Sequence, residues 1–435
     1  MSSSAARART RWIEAHLRTH SFARGGPLRV GAEMELLAFD TATGAVAPIA
    51  TADRPSTLPA VRTVAEELGW EEGARSKGVP RFVAPSGGAL TFEPGGQLEY
   101  ASAPHPSVDA VLHELRTVHH ALMTRCADQG VTLRAVGIDA EHSPDAAPLQ
   151  IDADRYRRMN AYFARIGPAG ARMMRQTASL QLCLGGIDVE AGWRLANAIA
   201  PWLVAIFANS PRYAGRDTGY ASYRAETWRG VDPLRTGLVV GDDAVSAYAA
   251  FALAAPAFLA GGEDAAPAPF AELSDEHATD EALAVHLSTL FPEVRPRGYL
   301  ELRSADAVDV EHHAAAMTFV VGLLADDVSA RAALEIVGEP STALLRAAGR
   351  SGLKDQQLAA GARDLVELAL AGCARLGSSV VSDAVLADAR RSFATLLRDD
   401  ATRDRAQRQT VPPSSPTTVL GPELLSSRWF VSSDA

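Results

Sequence analysis

Glutamates 33 and 35 stand two residues apart in LRVGAEMELLAF, a segment that alternates apolar and polar positions. Side chains two apart on a strand share a face. Glu33 and Glu35 therefore lie together, opposite Leu28, Val30, Met34 and Leu36. Three more segments repeat the arrangement: GQLEY sets Gln97 and Glu99 against Leu98 and Tyr100, SLQLCL sets Ser179, Gln181 and Cys183 against Leu180, Leu182 and Leu184, and YLELRS sets Glu301 and Arg303 against Leu300 and Leu302. For any one strand, an antiparallel sheet with one wet face accounts for the pattern. As a set, these positions are not the mixed Lys, Thr, Glu and Arg of a solvated surface. They are carboxylates, amides and an arginine, and neighbouring carboxylates repel unless a cation lies between them. Oxygen ligands of this kind suit magnesium, with water and substrate phosphates completing its octahedron. The implied chemistry is a sheet whose polar face holds divalent metal and a polyphosphate.

Other motifs are absent. No GxxxxGK[ST] occurs and neither lysine, Lys77 or Lys354, has that context, so no P-loop is expected. No GxGxxG opens a helix after a strand, which disfavours a dinucleotide fold. HExxH and GxSxG are missing as well. His119-His120, Glu311-His312-His313 and the basic run Arg155, Arg157, Arg158 read as solvated helix faces. Cys126, Cys183 and Cys373 are widely spaced with no CxxC, so neither a disulfide framework nor a zinc finger is expected, and a reducing cytoplasm fits.

The elements that must position these residues follow from periodicity. A helix over residues 1–20 leads into the first acidic strand, a loop spans 40–60, and 61–69 reads as a helix. A turn at Ser86-Gly87-Gly88 precedes the strand region ALTFEPGGQLEYAS. Ser107 caps a helix stopped by Gly130, with Val111, Leu112, Leu115, Val118, Leu122 and Met123 at helical spacing. VTLRAVGID, ASLQLCLGG and RGYLELRSAD are strands, 190–208 is a helix apolar all round, and 309–397 is almost wholly helical. With 435 residues and 47% hydrophobic content, a packed core is assured. The net charge of −10 disfavours a nucleic-acid partner. The N-terminus has no apolar h-region, so no signal peptide is read. The apolar run over 244–260 is interrupted by Pro256 and falls short of the ~20 residues a membrane span needs, so a buried helix is expected there. The simplest organisation is a single α+β catalytic domain over 1–405 with a proline- and serine-rich tail over 406–435.

In order, GAEMEL, FEPGGQLEYASAP, RYRRMNAYF, MMRQTASLQL, SYRAETWRGVDPLRTG and RGYLELRSAD resemble the signature segments of plant-type and actinobacterial glutamate–cysteine ligases, nearest to the branch that serves ergothioneine synthesis. The resemblance runs from about Val30 to Ala307 and more weakly through GLKDQQL. It implies a glutamine-synthetase-like curved antiparallel sheet with flanking helices and a helical C-terminal third. It implies ATP and Mg2+, with Glu33, Glu35, Glu99, Glu301 and, less directly, Glu93 as metal ligands. Gln181 falls near metal and nucleotide, Arg224 and Arg303 contact the glutamate carboxylate or the moving phosphoryl group, and Trp228 shapes the same pocket. The implied reaction joins the γ-carboxyl of L-glutamate to the amine of L-cysteine through a γ-glutamyl phosphate. Two departures matter: Cys183 stands where the family often has asparagine, and Gly185 where it often has aspartate. They motivate a rival in which the same fold uses another acceptor. A phosphagen-type kinase and a non-catalytic relative are rivals of other classes.

Overall fold

The computed structural model describes residues 3–23, 25–76, 78–259 and 267–398, so the expected tail over 406–435 and the end of the expected domain over 1–405 lie outside the described residues. Residues Met1–Leu397 form one compact unit. Its centre is a nine-stranded sheet. The strands are β1 (Arg29–Asp40), β2 (Glu71–Ser76), β3 (Val79–Val83), β4 (Ala89–Phe92), β5 (Leu98–Ala101), β6 (Val131–Arg134), β7 (Ser179–Gly185), β8 (Val294–Pro296) and β9 (Leu300–Asp306). They run in the order β8-β9-β7-β1-β5-β4-β3-β2, with β6 paired to β1. Every pairing in it is antiparallel. The expected α+β architecture with an antiparallel sheet is what forms.

β1 organises the sheet because it is long enough to serve three partners. Residues 29–34 pair with β7, 33–36 with β5, and its last turn of chain, 37–40, with β6. Its apolar side, Val30, Ala32, Met34 and Leu36, is buried with Leu98, Tyr100, Leu180, Leu182, Leu184, Leu300 and Leu302. The helix Val189–Ile206 packs on β9, and Val108–Asp128 on β1 and β6. Ser107 caps the latter as expected, its hydroxyl accepting from the Ala110 N–H at 3.3 Å. The helices His313–Leu324 and Gln356–Leu376 cross closely: a Cβ on Gly322 would lie 2.0 Å from the Ala369 carbonyl, so only glycine permits that approach.

Several local readings need correction. The hairpin β2–β3 escaped notice because EEGARS is polar and carries no alternation of apolar residues. The second helix starts at Thr57 rather than 61, since Pro59 is tolerated in a first turn. The apolar run forms Ala244–Ala254 and stops before Pro256; it buries one side only, through Val245, Tyr248, Ala249 and Ala252. His313 is no solvated histidine: it is 1% exposed, with Nε2 3.2 Å from the Val308 carbonyl. No described helix is long and apolar enough to cross a membrane.

Candidate active site

The strand register assembles the polar face. Glu33 is paired with Gln181 on one side and Ala101 on the other, Glu35 with Glu99, Cys183 with Gly31 and Glu301, and Glu301 with Arg295. Directly opposed residues project to the same side. Glu33, Glu35, Glu99, Gln181, Cys183 and Glu301 thus form one patch across β5, β1, β7 and β9. The patch is not the wet side of an ordinary sheet, because Glu301 is 1% and Gln181 3% exposed. Arg303, two residues on from Glu301, shares this patch, and the register of β9 on β7 shifts only beyond Leu302. Its Nη1 donates to Glu301 Oε1 at 2.5 Å and also to Gln181 Oε1. Gln181 Nε2 in turn donates to Glu35 Oε1 at 3.0 Å, and the Ser179 N–H to Glu35 Oε2 at 2.7 Å. One continuous chain of bonds links Glu35 to Glu301 through Gln181 and Arg303.

The EPGGQ turn, whose facing alternation alone leaves open, is a tight hairpin. Glu93 N–H donates to the Gln97 carbonyl at 2.9 Å, extending the pairing of Thr91 with Glu99. Glu93 therefore falls on the side of Thr91 and Glu99. Gly95 is obligatory, since a Cβ there would meet the Arg175 carbonyl at 2.1 Å. Gln97, by contrast, is structural: its amide donates to the Met174 and Thr177 carbonyls. Over this end lies the helix Asp154–Ile166, whose Tyr156 is 3% exposed and feels the charges of both Glu93 and Glu99. The basic run on this helix is only partly solvated. Arg157 is exposed, but Arg155 donates to Ser288 and Arg158 to the Phe258 and Leu259 carbonyls.

The electrostatics divide the patch. Burial, then the carboxylates of Glu99 and Glu301, push the Glu33 carboxyl up to about 8. Glu301 is buried too, but Arg295, Arg303 and Arg297 outweigh the burial and hold it at about 2. Arg295 Nη1 reaches its two oxygens at 3.1 and 3.3 Å, and Arg297 Nη1 reaches Oε2 at 3.4 Å. Arg295 and Arg297 escaped the sequence reading because only the β8–β9 register brings them beside Glu301; the RPRG turn before YLELR was the available signal. Burial raises the Cys183 thiol well above its ordinary range, with Glu33 and Glu301 adding to the effect, so it stays a neutral thiol and no nucleophile.

A second corner is built on Asp306, the last residue of β9. It is 1% exposed and accepts from the Asn209 N–H at 2.8 Å, Ser210 Oγ at 2.6 Å and Ser222 Oγ at 2.8 Å. Ser222 caps the helix Tyr223–Arg229, so the LELRSAD and SYRAETWR segments are bound to each other here. Arg224 Nη2 donates to the Arg303 carbonyl at 3.0 Å, and Nη1 lies 3.8 Å from Asp306. Trp228 stands between two guanidiniums, with Arg224 5.7 Å and Arg303 5.6 Å from its ring centroid. Arg224 Nε and Trp228 Nε1 are both buried and have no protein acceptor. Two adjacent buried donors without acceptors fit an anionic group, because leaving such a donor unpaired is costly.

The donor set also bears on magnesium. Among the described residues, no three His, Cys, Asp or Glu side chains stand close enough together to hold an ion as they are. Glu35 is turned to Ser179 and Gln181, and Glu301 to its arginines. The displaced titration of Glu33 nonetheless records a concentration of negative charge that a dication would relieve, and four carboxylates on one face supply the oxygens it prefers. Two cavities open elsewhere: one of about 160 Å³ beside His286, Val285 and Leu259, and one of about 290 Å³ between Asp188, Arg194 and Asp243. Neither touches this patch.

Comparison with known proteins places these observations. The model of glutamate–cysteine ligase family 2 matches residues 29–403. The glutamate–cysteine ligase EgtA of Mycolicibacterium smegmatis is 35% identical over 377 residues, 82% of this chain and 82% of that protein. The chloroplastic glutamate–cysteine ligase of Arabidopsis thaliana is 28% identical over 386 residues, 80% of this chain and 71% of that protein. Among solved structures, the glutamate–cysteine ligase of Francisella tularensis in complex with AMP aligns with 90% of this chain and 93% of its own, at a TM-score of 0.46 and 12% identity. With its acidic strands, its LELRSAD–SYRAETWR corner and an alignment that runs from the first strand of the sheet past the last described helix, this chain belongs to glutamate–cysteine ligase family 2.

Proposed function

We propose that this chain couples ATP cleavage to formation of an amide between the γ-carboxyl of L-glutamate and the amine of L-cysteine, through a γ-glutamyl phosphate. The observation that carries this reading is the polarity of the buried face: carboxylates on one side, arginines and orphaned donors on the other, joined by Arg303. The relatives named glutamate–cysteine ligase support the substrates, and those named EgtA support a product destined for ergothioneine or another small thiol. A reducing cytoplasm suits an acceptor whose own thiol must stay free.

In this reading the glutamate substrate places a carboxylate on Arg224 Nε and Trp228 Nε1, the two donors that lack acceptors. Its γ-carboxyl then extends toward Arg303. Glu33, Glu35 and Glu99, with Glu93 and Glu301 at the margins, would hold magnesium, which would neutralise the repulsion between a carboxylate and a polyphosphate. Arg303 presents a fixed guanidinium to the transferring phosphoryl group, and Gln181 keeps that guanidinium in register with Glu35. Glu301, paired with Arg295 and Arg303, would contribute to such a site only on giving up part of those contacts.

The test is ligation by the purified protein with glutamate, ATP and magnesium, cysteine first among acceptors, with mass analysis of the product and assay of free phosphate. γ-Glutamylcysteine with one phosphate per turnover supports the reading. A stable phosphorylated product without free phosphate points to a kinase instead. A second acceptor is favoured by one observation: Cys183, where the family often has asparagine, faces Glu301 directly across the β7–β9 pairing. Turnover with other amines but not cysteine selects that alternative.

A further inference from the structure

Three guanidiniums surround the single carboxylate of Glu301, and they are not equivalent. The side chains of Arg295 and Arg303 are each 12% exposed, whereas that of Arg297 is 52% exposed. Arg295 is held at both terminal nitrogens, Nη1 on both Glu301 oxygens and Nη2 on the Leu290 carbonyl at 2.7 Å, and only its buried Nε lacks an acceptor. Arg303 is committed to Glu301 and Gln181. Arg297 makes one long contact, 3.4 Å from Nη1 to Glu301 Oε2, at the outer limit of a hydrogen bond.

Its backbone, however, is fixed. Arg297 begins the β8–β9 turn, its N–H donating to the Tyr299 carbonyl at 2.8 Å. The next residue, Gly298, has φ +73° and donates to the Ser21 carbonyl at 2.8 Å, tying the turn to the end of the first helix. A flexible, half-exposed guanidinium thus hangs from a rigid hinge at the Glu33–Cys183–Glu301 end of the polar face. Two carboxylates, Glu301 and Glu33, face three guanidiniums there, so positive charge remains in excess. On the other side of Arg303, Arg224 and Trp228 already provide for an amino-acid carboxylate.

We propose that Arg297 is the phosphate clamp for the nucleotide, leaving Glu301 to grip the phosphoryl oxygens that ATP and ADP share when these enter the face. This rests on the ligase reading and adds to it the residue that captures the polyphosphate. A polyphosphate matches the excess positive charge, and guanidinium is the side chain suited to forked contacts with phosphoryl oxygens. A phosphate drawing Arg297 away also loosens the hold on Glu301, making its oxygens available as nucleotide arrives.

The experiment is titration calorimetry of the full-length protein with MgADP, comparing wild type, Arg297→Gln and Arg297→Lys, alongside KM values for ATP and glutamate. MgADP affinity and KM for ATP should both worsen at least tenfold in R297Q and less in R297K, with KM for glutamate unchanged. MgADP affinity within twofold of wild type in R297Q overturns the clamp. So does a loss confined to the KM for glutamate or for the acceptor. Wild-type protein that binds no MgADP overturns clamp and ligase reading together. Wild-type binding that R297Q weakens, in a protein that ligates nothing, keeps the clamp and removes the ligase reading.

Discussion

Glu33 and Glu301 share one face of the sheet across a single intervening strand, yet the fold drives them to opposite ends of the carboxylate range. Glu33 is pushed up to about 8 by burial and its acidic neighbours, while Glu301 is held at about 2 by arginines. Two residues that look alike in the sequence should therefore respond oppositely to the same substitution.

Glu33→Gln should stabilise the protein while removing its activity. A carboxyl raised from 4.5 to about 8 favours folding fully below pH 4.5, and that contribution fades as pH rises through about 8. At pH 7 the charged form is being suppressed, at a cost of up to about 3 kcal/mol. Glutamine removes this cost, so urea unfolding at pH 7 should show a gain that vanishes near pH 4.5. Ligation should fall by about 100-fold or more with the lost charge. A destabilised but active variant contradicts the placement of Glu33 at the centre of the acidic patch.

Glu301→Gln should do the reverse to stability. It leaves Arg295 and Arg303 buried without their counter-charge, which is expected to lower stability by about 3 kcal/mol. The wild-type contribution of this carboxylate is present above pH 4.5 and lost as pH falls through about 2. Denaturant midpoints at neutral pH decide the matter, and an unchanged midpoint would show that the arginines do not depend on Glu301.

Trp228→Phe keeps a ring between Arg224 and Arg303 but deletes the buried Nε1 donor. The unliganded protein should be as stable as wild type or more so, because an unpaired donor is a burden of about 1–3 kcal/mol. The KM for glutamate should rise about tenfold, with kcat little changed. Steady-state kinetics with varied glutamate provides the check, and an unaltered KM removes Trp228 from the carboxylate site.

His286 offers a test outside the site. It is 3% exposed, stacked on Phe270 at 4.7 Å, with Nε2 2.8 Å from the Ala252 carbonyl. Burial lowers it to about 4, so the folded protein keeps it neutral where the unfolded chain takes up a proton. Stability is undiminished above pH 6.5 and declines as pH falls from 6.5 toward 4, by about 1.4 kcal/mol per unit from this group. His286→Gln should lose about 2 kcal/mol less than wild type between pH 7 and pH 5 in urea unfolding. Equal losses in the two proteins would place the acid sensitivity elsewhere.

Much of the site was legible because strands encode facing directly. Alternation alone put Glu33 with Glu35, Glu99 opposite Tyr100, and Glu301 with Arg303 on polar sides, and the Ser107 cap and Gly130 stop bounded a helix to within a residue. The β2–β3 hairpin was invisible because its polar strand has no apolar period, and His313 was misread because a histidine's burial depends on what packs over its helix.

By itself the sequence determined which residue types lie on each side of each strand, since backbone pleating makes that a local property. It also determined the family, through the order of its signature segments. Only the tertiary structure decided which strands are neighbours, and with that which charges meet. The β8–β9 register sets Arg295 and Arg297 on Glu301, the β7–β9 pairing joins Arg303 to Gln181, and Asp306 binds the Arg224–Trp228 helix to the sheet. Charge interactions fall off with distance rather than with separation along the chain. Two glutamates of like appearance could therefore acquire opposite acidities only once the fold had chosen their surroundings.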